Sequence, residues 1–285
     1  MAQNFLKPIC CCFGQPVAEN PTQVMIEAGF RAMGLDWRYI TLEVAPGQLA
    51  DAVQGARAMG FRGFNCTIPH KVAVIDHLDG LGRSAELMQA VNCVVRRGDQ
   101  FIGENTDGKG FVEALKKRAD PAGGRAVLLG AGGAARAIAV ELGLAGLRRL
   151  TLVNRSLERG EGVRMLLRRA LPQLEVDFEL WEGDYTAPAE ANLLVNATSV
   201  GLFPDVDARL PLDLSALTAE TLVADVIFNP PETHLIREAR ARGCPVLDGL
   251  EMLAGQGVIG IEHWTGRSPS PAVMRKALED VFAGA

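Results

Sequence analysis

Apolar residues recur along the chain in short blocks that switch between two periods. The runs at 9–13, 38–44 and 63–67 have the length of buried strands, whereas 23–33 and 48–59 space their apolar side chains as helices do and stop at Gly34 and Gly60. Helical turns are expected over 70–89, then a hairpin from 92 to 102 turning at Gly98-Asp99. A helix over 108–118 leads into Asp120-Pro121-Ala122-Gly123-Gly124, a turn-rich break that reads as a passage between domains. A second series follows: strand 126–129, helix 133–144, strand 149–154, helix 157–171, then strands near 176–180, 192–196 and 222–227. Helices at about 250–264 and 271–282 close the chain. Strands alternating with helices predict an α/β protein of two domains, the first a layer of mostly parallel strands and the second a doubly wound sheet. The expected division is 1–108 plus about 250–285 for the first and 109–249 for the second.

Composition narrows the function classes. A chain of 285 residues, 48% hydrophobic and 22% charged, has enough apolar material for two medium cores. Its net charge of −5 argues against a general nucleic-acid binder and for a small-molecule ligand. No window approaches the roughly 18 apolar residues of a membrane span, and the start MAQNFLKPICCCFG lacks a secretory pattern. A cytoplasmic protein, monomer or homodimer, is expected. The six cysteines include the consecutive Cys10, Cys11 and Cys12, with Cys66, Cys93 and Cys244 scattered. They lack metal-ligand spacing and read as free thiols buried in strands. Two glycosylation sequons, at Asn65 and Asn196, need secretion and are set aside.

Three segments carry chemistry. Asn65-Cys66-Thr67-Ile68-Pro69-His70-Lys71 and Asn105-Thr106-Asp107-Gly108 gather a lysine, a carboxylate and neutral hydrogen-bonding groups, which suits gripping a polyhydroxylated ligand and moving one proton. Gly130-Ala131-Gly132-Gly133-Ala134 follows a strand and opens a helix, where small residues let backbone approach a pyrophosphate and the helix N-terminus offers free N–H groups. Alanine at the third glycine position is allowed in the dinucleotide fingerprint, so a Rossmann-type nucleotide domain is expected. After the next strand come Asn154-Arg155-Ser156-Leu157-Glu158-Arg159, and two arginines favour a ribose 2′-phosphate, hence NADP over NAD. Glu158 could turn toward the ribose instead, although Arg159 would tend to pair with it.

Taken with Ala90-Val91-Asn92, Asn196-Ala197-Thr198-Ser199, the segment 225–230 and the segment 249–256, these motifs resemble the shikimate dehydrogenase family across almost the whole chain. The resemblance implies two domains with substrate and nicotinamide meeting in the cleft between them, and NADP-dependent interconversion of 3-dehydroshikimate and shikimate. It implies Lys71 and Asp107 as the catalytic pair, and Asn65, Thr67, Asn92 and Gln256 as ligands of ring hydroxyls or carboxylate. The same resemblance extends the cofactor site from 130–134, Asn154, Arg155 and Arg159 to Thr198, Val226 and Gly249. A lysine ammonium can give a proton to a developing alkoxide and stabilise its charge, while a nearby carboxylate holds the lysine charged.

Two positions depart from the family pattern. The Ser-x-Ser that should hold a substrate carboxylate is Asn20-Pro21-Thr22, and Phe228 stands where tyrosine is usual, removing a hydroxyl. These changes fit quinate or another analogue, and the alternatives are a divergent dehydrogenase with a shifted pocket or an NADP-binding regulator that has lost the reaction. The glycine-rich segments 103–110 and 249–257 are candidate hinges for closure.

Overall fold

The computed structural model describes residues 5–283, which divide into two compact units, one running to Thr106 and resuming at Gln256, the other Asp107–Gly255. The first unit opens with β1 (Ile9–Gly14), α1 (Thr22–Ala32), β2 (Arg38–Glu43), α2 (Leu49–Ala58) and β3 (Gly63–Cys66). A one-turn helix α3 (His70–Ala73), the two-residue β4 (Gly80–Leu81), α4 (Arg83–Met88), β5 (Cys93–Arg97) and β6 (Gln100–Glu104) complete its sheet. The strand order is β2-β1-β3-β5-β6-β4, and β5 alone among these runs against its neighbours. The β5–β6 hairpin turns at Gly98, whose φ of +63° favours glycine. The stretch 70–89 is broken where β4 pairs with β6, so it is less helical than its pattern predicts.

Alternation along β1 and β3 sorts side chains onto two faces. Cys11, Phe13, Phe64, Cys66, Val94 and Phe101 form one core, with Phe13 and Phe64 rings 4.8 Å apart and Phe64 edge-on to Phe101 at 5.4 Å. Cys10, Cys12, Tyr39, Gly63, Asn65 and Cys93 share the opposite face through the strand register.

The second unit begins with α5 (Asp107–Lys116), then β7 (Arg125–Leu129), α6 (Gly133–Leu144), β8 (Arg149–Asn154), α7 (Leu157–Ala170) and β9 (Glu175–Leu180). It continues through the small β10 (Tyr185–Thr186), β11 (Leu193–Asn196), β12 (Leu212–Asp213), β13 (Leu222–Asp225), α8 (His234–Ala241) and β14 (Val246–Leu247). The main sheet is wholly parallel, ordered β14-β13-β11-β7-β8-β9, with the order reversing between β7 and β11. This is the doubly wound arrangement, which leaves a crevice outside the carboxyl ends of β7 and β11. The Asp120–Gly124 turn lies inside this unit, between α5 and β7.

The division falls within α9 (Gly249–Thr265), and α10 (Pro271–Ala283) follows it. In the first unit Trp264 donates its indole N–H to the Val94 carbonyl at 3.0 Å and lies over Gly63, where a Cβ would come within 2.6 Å of its ring. All six cysteines are free and buried. Cys244 sits in the loop before β14 and not in a strand, a correction to its expected setting. No helix among the described residues is long and apolar enough to cross a membrane.

Candidate active site

In the first unit the predicted polar residues gather at the carboxyl ends of β1 and β3. Lys71 lies on α3, which is pinned from three sides: the His70 N–H donates to the Thr67 carbonyl, the buried His70 ring lies 2.7 Å from the Val44 carbonyl, and the Val91 N–H donates to the Lys71 carbonyl at 2.7 Å. Its ammonium, half-buried, lies near Cys12 and Cys66 and opposes the effect of burial on both thiols. Burial still wins, pushing Cys12 up to about 11 despite a hydrogen bond with Tyr39, so these thiols stay protonated and unreactive at neutral pH.

The asparagines are held by hydrogen bonds that sequence alone does not reveal. Asn65 Nδ2 donates to the Asn92 carbonyl at 2.9 Å, and Tyr39 Oη donates to Asn65 Oδ1 at 2.6 Å. Asn92 Oδ1 accepts the Thr106 N–H at 2.7 Å, while Asn92 Nδ2 donates to Thr106 Oγ1 at 3.0 Å. The Thr106 hydroxyl lies 3.3 Å from Gln256 Oε1, which brings the buried Gln256 of α9 into the same network. Thr67 is half-buried beside Gly14, where a Cβ would drive into its methyl group. Asn20 Oδ1 accepts the Thr22 N–H at 2.9 Å, an Asx turn that starts α1. Thr22 is buried at the first position of α1. Lys71, Asn20, Thr22, Asn65, Thr67, Asn92 and Gln256 therefore all belong to one unit.

Asp107, the residue after Thr106, opens α5 in the second unit and is half-buried. The dinucleotide loop runs from the end of β7 into α6. Gly130 has φ +109°, and a Cβ there would come 2.9 Å from the Ala197 carbonyl and 3.3 Å from the Thr198 methyl, so glycine is required at the switch point. Around Gly132 and Gly133 a Cβ would meet nothing within 4 Å, and α6 has no side-chain cap and no acidic residue in its first turn. That open, uncapped N-terminus with small residues fits a pyrophosphate. Ala131 is buried and Ala134 half-buried on the same turn.

Asn154 ends β8 and donates to the Ser156 carbonyl at 2.9 Å, while Ser156 caps α7 by accepting the Arg159 N–H. Arg155, Glu158 and Arg159 are exposed. Thr198 bonds back to Asn196 Oδ1 through both its N–H at 3.0 Å and its hydroxyl at 2.8 Å. Asn196 in turn donates to the buried Asp225, which also accepts from Ile227 N–H and Thr233 Oγ1. Val226 and Phe228 lie on the loop after this aspartate, and Gly249 packs under it, where a Cβ would come 2.7 Å from the Val226 carbonyl.

Comparison with known proteins shows the family of the chain. Residues 12–94 match the shikimate dehydrogenase substrate binding domain, and 249–279 match the shikimate 5′-dehydrogenase C-terminal domain. An NADP(+) shikimate dehydrogenase from Symbiobacterium thermophilum is 44% identical over 267 residues, 93% of this chain and 91% of that one. The chain belongs to the shikimate dehydrogenase family. It is similar to the ligand-free crystal structure of 5-ketofructose reductase from Gluconobacter sp. strain CHM43, at 50% identity and a TM-score of 0.95, covering 98% and 100% of the two chains. It is also similar to the shikimate 5-dehydrogenase of Thermus thermophilus solved with NADP(H) and shikimate, at 35% identity and a TM-score of 0.82, covering 96% and 99%. Sequence reasoning missed Tyr39, which reads as an ordinary strand aromatic, and the part Thr106 plays in holding Asn92.

Proposed function

We propose that this chain is an NADP-dependent oxidoreductase of the shikimate dehydrogenase type that interconverts a ketone and a secondary alcohol on a polyhydroxylated small molecule, with 3-dehydroshikimate and shikimate as the reference pair. The observation that carries it is the network joining Asn65, Asn92, Thr106 and Gln256 beside the pinned α3 lysine, a wall of amides and hydroxyls suited to vicinal hydroxyl groups. When bound, NADPH supplies the hydride for the carbonyl carbon. Lys71 gives a proton to the developing alkoxide oxygen and stabilises its charge, and in the reverse direction takes that proton back. Asp107, following directly on the anchored Thr106, orients the ammonium or accepts a substrate hydroxyl. Asn65, Thr67, Asn92 and Gln256 hold the remaining hydroxyls. The 130–134 turn and α6 hold the pyrophosphate, Asn154, Arg155 and Arg159 the 2′-phosphate end, and Thr198, Val226 and Gly249 the nicotinamide half. The enzyme works in the cytoplasm, as monomer or homodimer.

A second reading concerns the substrate and rests on Asn20, Thr22 and Phe228. A substrate carboxylate would meet the amide of Asn20 in place of a serine hydroxyl, and Phe228 offers no hydroxyl at all. 5-Ketofructose is a polyhydroxylated ketone without a carboxylate and needs neither contact, and the 50% identity to a 5-ketofructose reductase supports the same choice. Ranking kcat/KM for 3-dehydroshikimate and 5-ketofructose with NADPH, and for shikimate and quinate with NADP, decides between them. A preference above about tenfold for 5-ketofructose establishes the second reading. A comparable preference for the carboxylates retires it.

A further inference from the structure

We propose that Tyr39 is a positioning residue that locks the Asn65 amide in the orientation the Asn92 carbonyl sets, a role that rests on Asn65 being a substrate ligand. The orientation follows from donor and acceptor chemistry. The Asn92 backbone carbonyl can only accept, and it already takes the Cys66 N–H at 2.9 Å, so the group facing it at 2.9 Å must be Asn65 Nδ2. Asn65 Oδ1 is then turned toward Tyr39, whose hydroxyl donates to it at 2.6 Å. The Asn92 carbonyl, an acceptor only, decides which way the amide turns, and the Tyr39 hydroxyl then locks Oδ1 in that orientation. One N–H and one carbonyl lone pair of Asn65 stay uncommitted, and together they complement a hydroxyl group, which both donates and accepts.

The surroundings explain how a tyrosine two strands away reaches this amide. Tyr39 is the register partner of Cys10 on β1, and Asn65 of β3 is the partner of Cys12. Cys10 and Cys12 are therefore the side chains over which the Tyr39 ring must pass, and thiols are small enough to let it cross. Cys93 flanks Asn65 on the other side through the β3–β5 register. The thiols flanking Asn65 supply only weak hydrogen bonds, and Oδ1 takes a strong one from the phenol. Tyr39 itself is wholly buried, with the Trp264 ring centroid 5.9 Å away, and burial pushes its hydroxyl well above the usual phenol range, so it remains a donor at every working pH. This assigns a purpose to Cys10 and Cys12, while Cys11 packs in the core on the opposite face.

Tyr39→Phe removes the hydroxyl and keeps the ring. The test is steady-state kinetics of native protein, Tyr39→Phe, Asn65→Ala and the double variant, with NADPH and whichever of 3-dehydroshikimate or 5-ketofructose gives the higher kcat/KM. Tyr39→Phe is expected to raise KM for the ketone by about three- to tenfold, the worth of one buried hydrogen bond, with kcat within about twofold and KM for NADPH unchanged. In the Asn65→Ala background the same substitution is expected to change nothing further. If Asn65→Ala raises the ketone KM but Tyr39→Phe leaves it alone, or the two effects simply add, Tyr39 is a packing residue and the proposal is overturned. If Asn65→Ala leaves KM unchanged, the substrate role of Asn65 fails and the proposal fails with it.

Discussion

Gly108→Ala separates the two demands placed on the residue after Asp107. Gly108 is the second residue of α5, and a Cβ there would come within 2.6 Å of the Ala137 carbonyl carbon and 2.8 Å of Glu141 Cγ on α6. Carbon atoms settle about 3.5 Å apart, so α5 must lift from α6 by about 1 Å. Overpacking of this kind costs about 1–3 kcal/mol. Alanine returns up to about 1 kcal/mol of helix propensity, leaving a net loss of roughly 0–2 kcal/mol and a Tm lower by several degrees at most. The consequence for rate is larger, because a displacement of about 1 Å at a positioned catalytic group costs on the order of 100-fold. Thermal unfolding and kcat/KM measured on the same preparation should therefore diverge, with a small change in Tm and a large fall in turnover. Gly162→Ala in α7 serves as the control, since a Cβ there meets nothing within 4 Å, and it should keep native rates with equal or higher Tm. Native turnover in Gly108→Ala would refute the claim that this close approach sets Asp107.

Two further outcomes follow from the second unit. Burial pushes the Asp225 carboxyl up to about 6, opposed by hydrogen bonds from Ile227, Thr233 and Asn196. An unfolded aspartate ionises near about 3.9, so between these values the folded state binds more protons than the unfolded one. The stability this group contributes is full below about pH 4 and lost as pH rises through about 6, roughly 3 kcal/mol in all. Asp225→Asn should flatten that fall, and Tm-against-pH curves that stay parallel from pH 4 to 7 would contradict it. Arg155→Ala should raise KM for NADPH about tenfold and leave NADH kinetics nearly unchanged, whereas equal losses with both would place Arg155 away from the 2′-phosphate.

What was legible in the sequence and what was not divide along physical lines. Long periodic segments were read well: α6 at 133–144 and β8 at 149–154 fall where the pattern puts them, because burial and period agree there. The strand expected to run to 227 stops at Asp225, whose carboxylate takes the Ile227 N–H and ends the ladder. The two-residue β4, β10, β12 and β14 have too few residues to show a period and exist through tertiary pairing, whereas α8 goes unread although Leu235, Ile236 and Ala239 are buried at helical spacing behind its Thr233 cap. In the site, Lys71, Asn65 and Asn92 were visible as motif residues, but the partners that aim them were not. Tyr39 is 26 positions from Asn65, and only the strand register brings them together. In the segments expected as hinges, Gly103, Gly108, Gly255 and Gly257 each face an atom that a Cβ would strike, and none has a positive φ, a packing demand that the sequence does not display.

The account turns on Lys71 handling the proton in an NADP-dependent reduction. The most direct test is the initial rate of NADPH oxidation with 3-dehydroshikimate and with 5-ketofructose, on native protein and on Lys71→Ala. Turnover of at least one ketone by the native protein, falling by about 100-fold or more in the variant with NADPH binding intact, is the predicted result. No turnover of either ketone, or a variant as fast as the native protein, would contradict it.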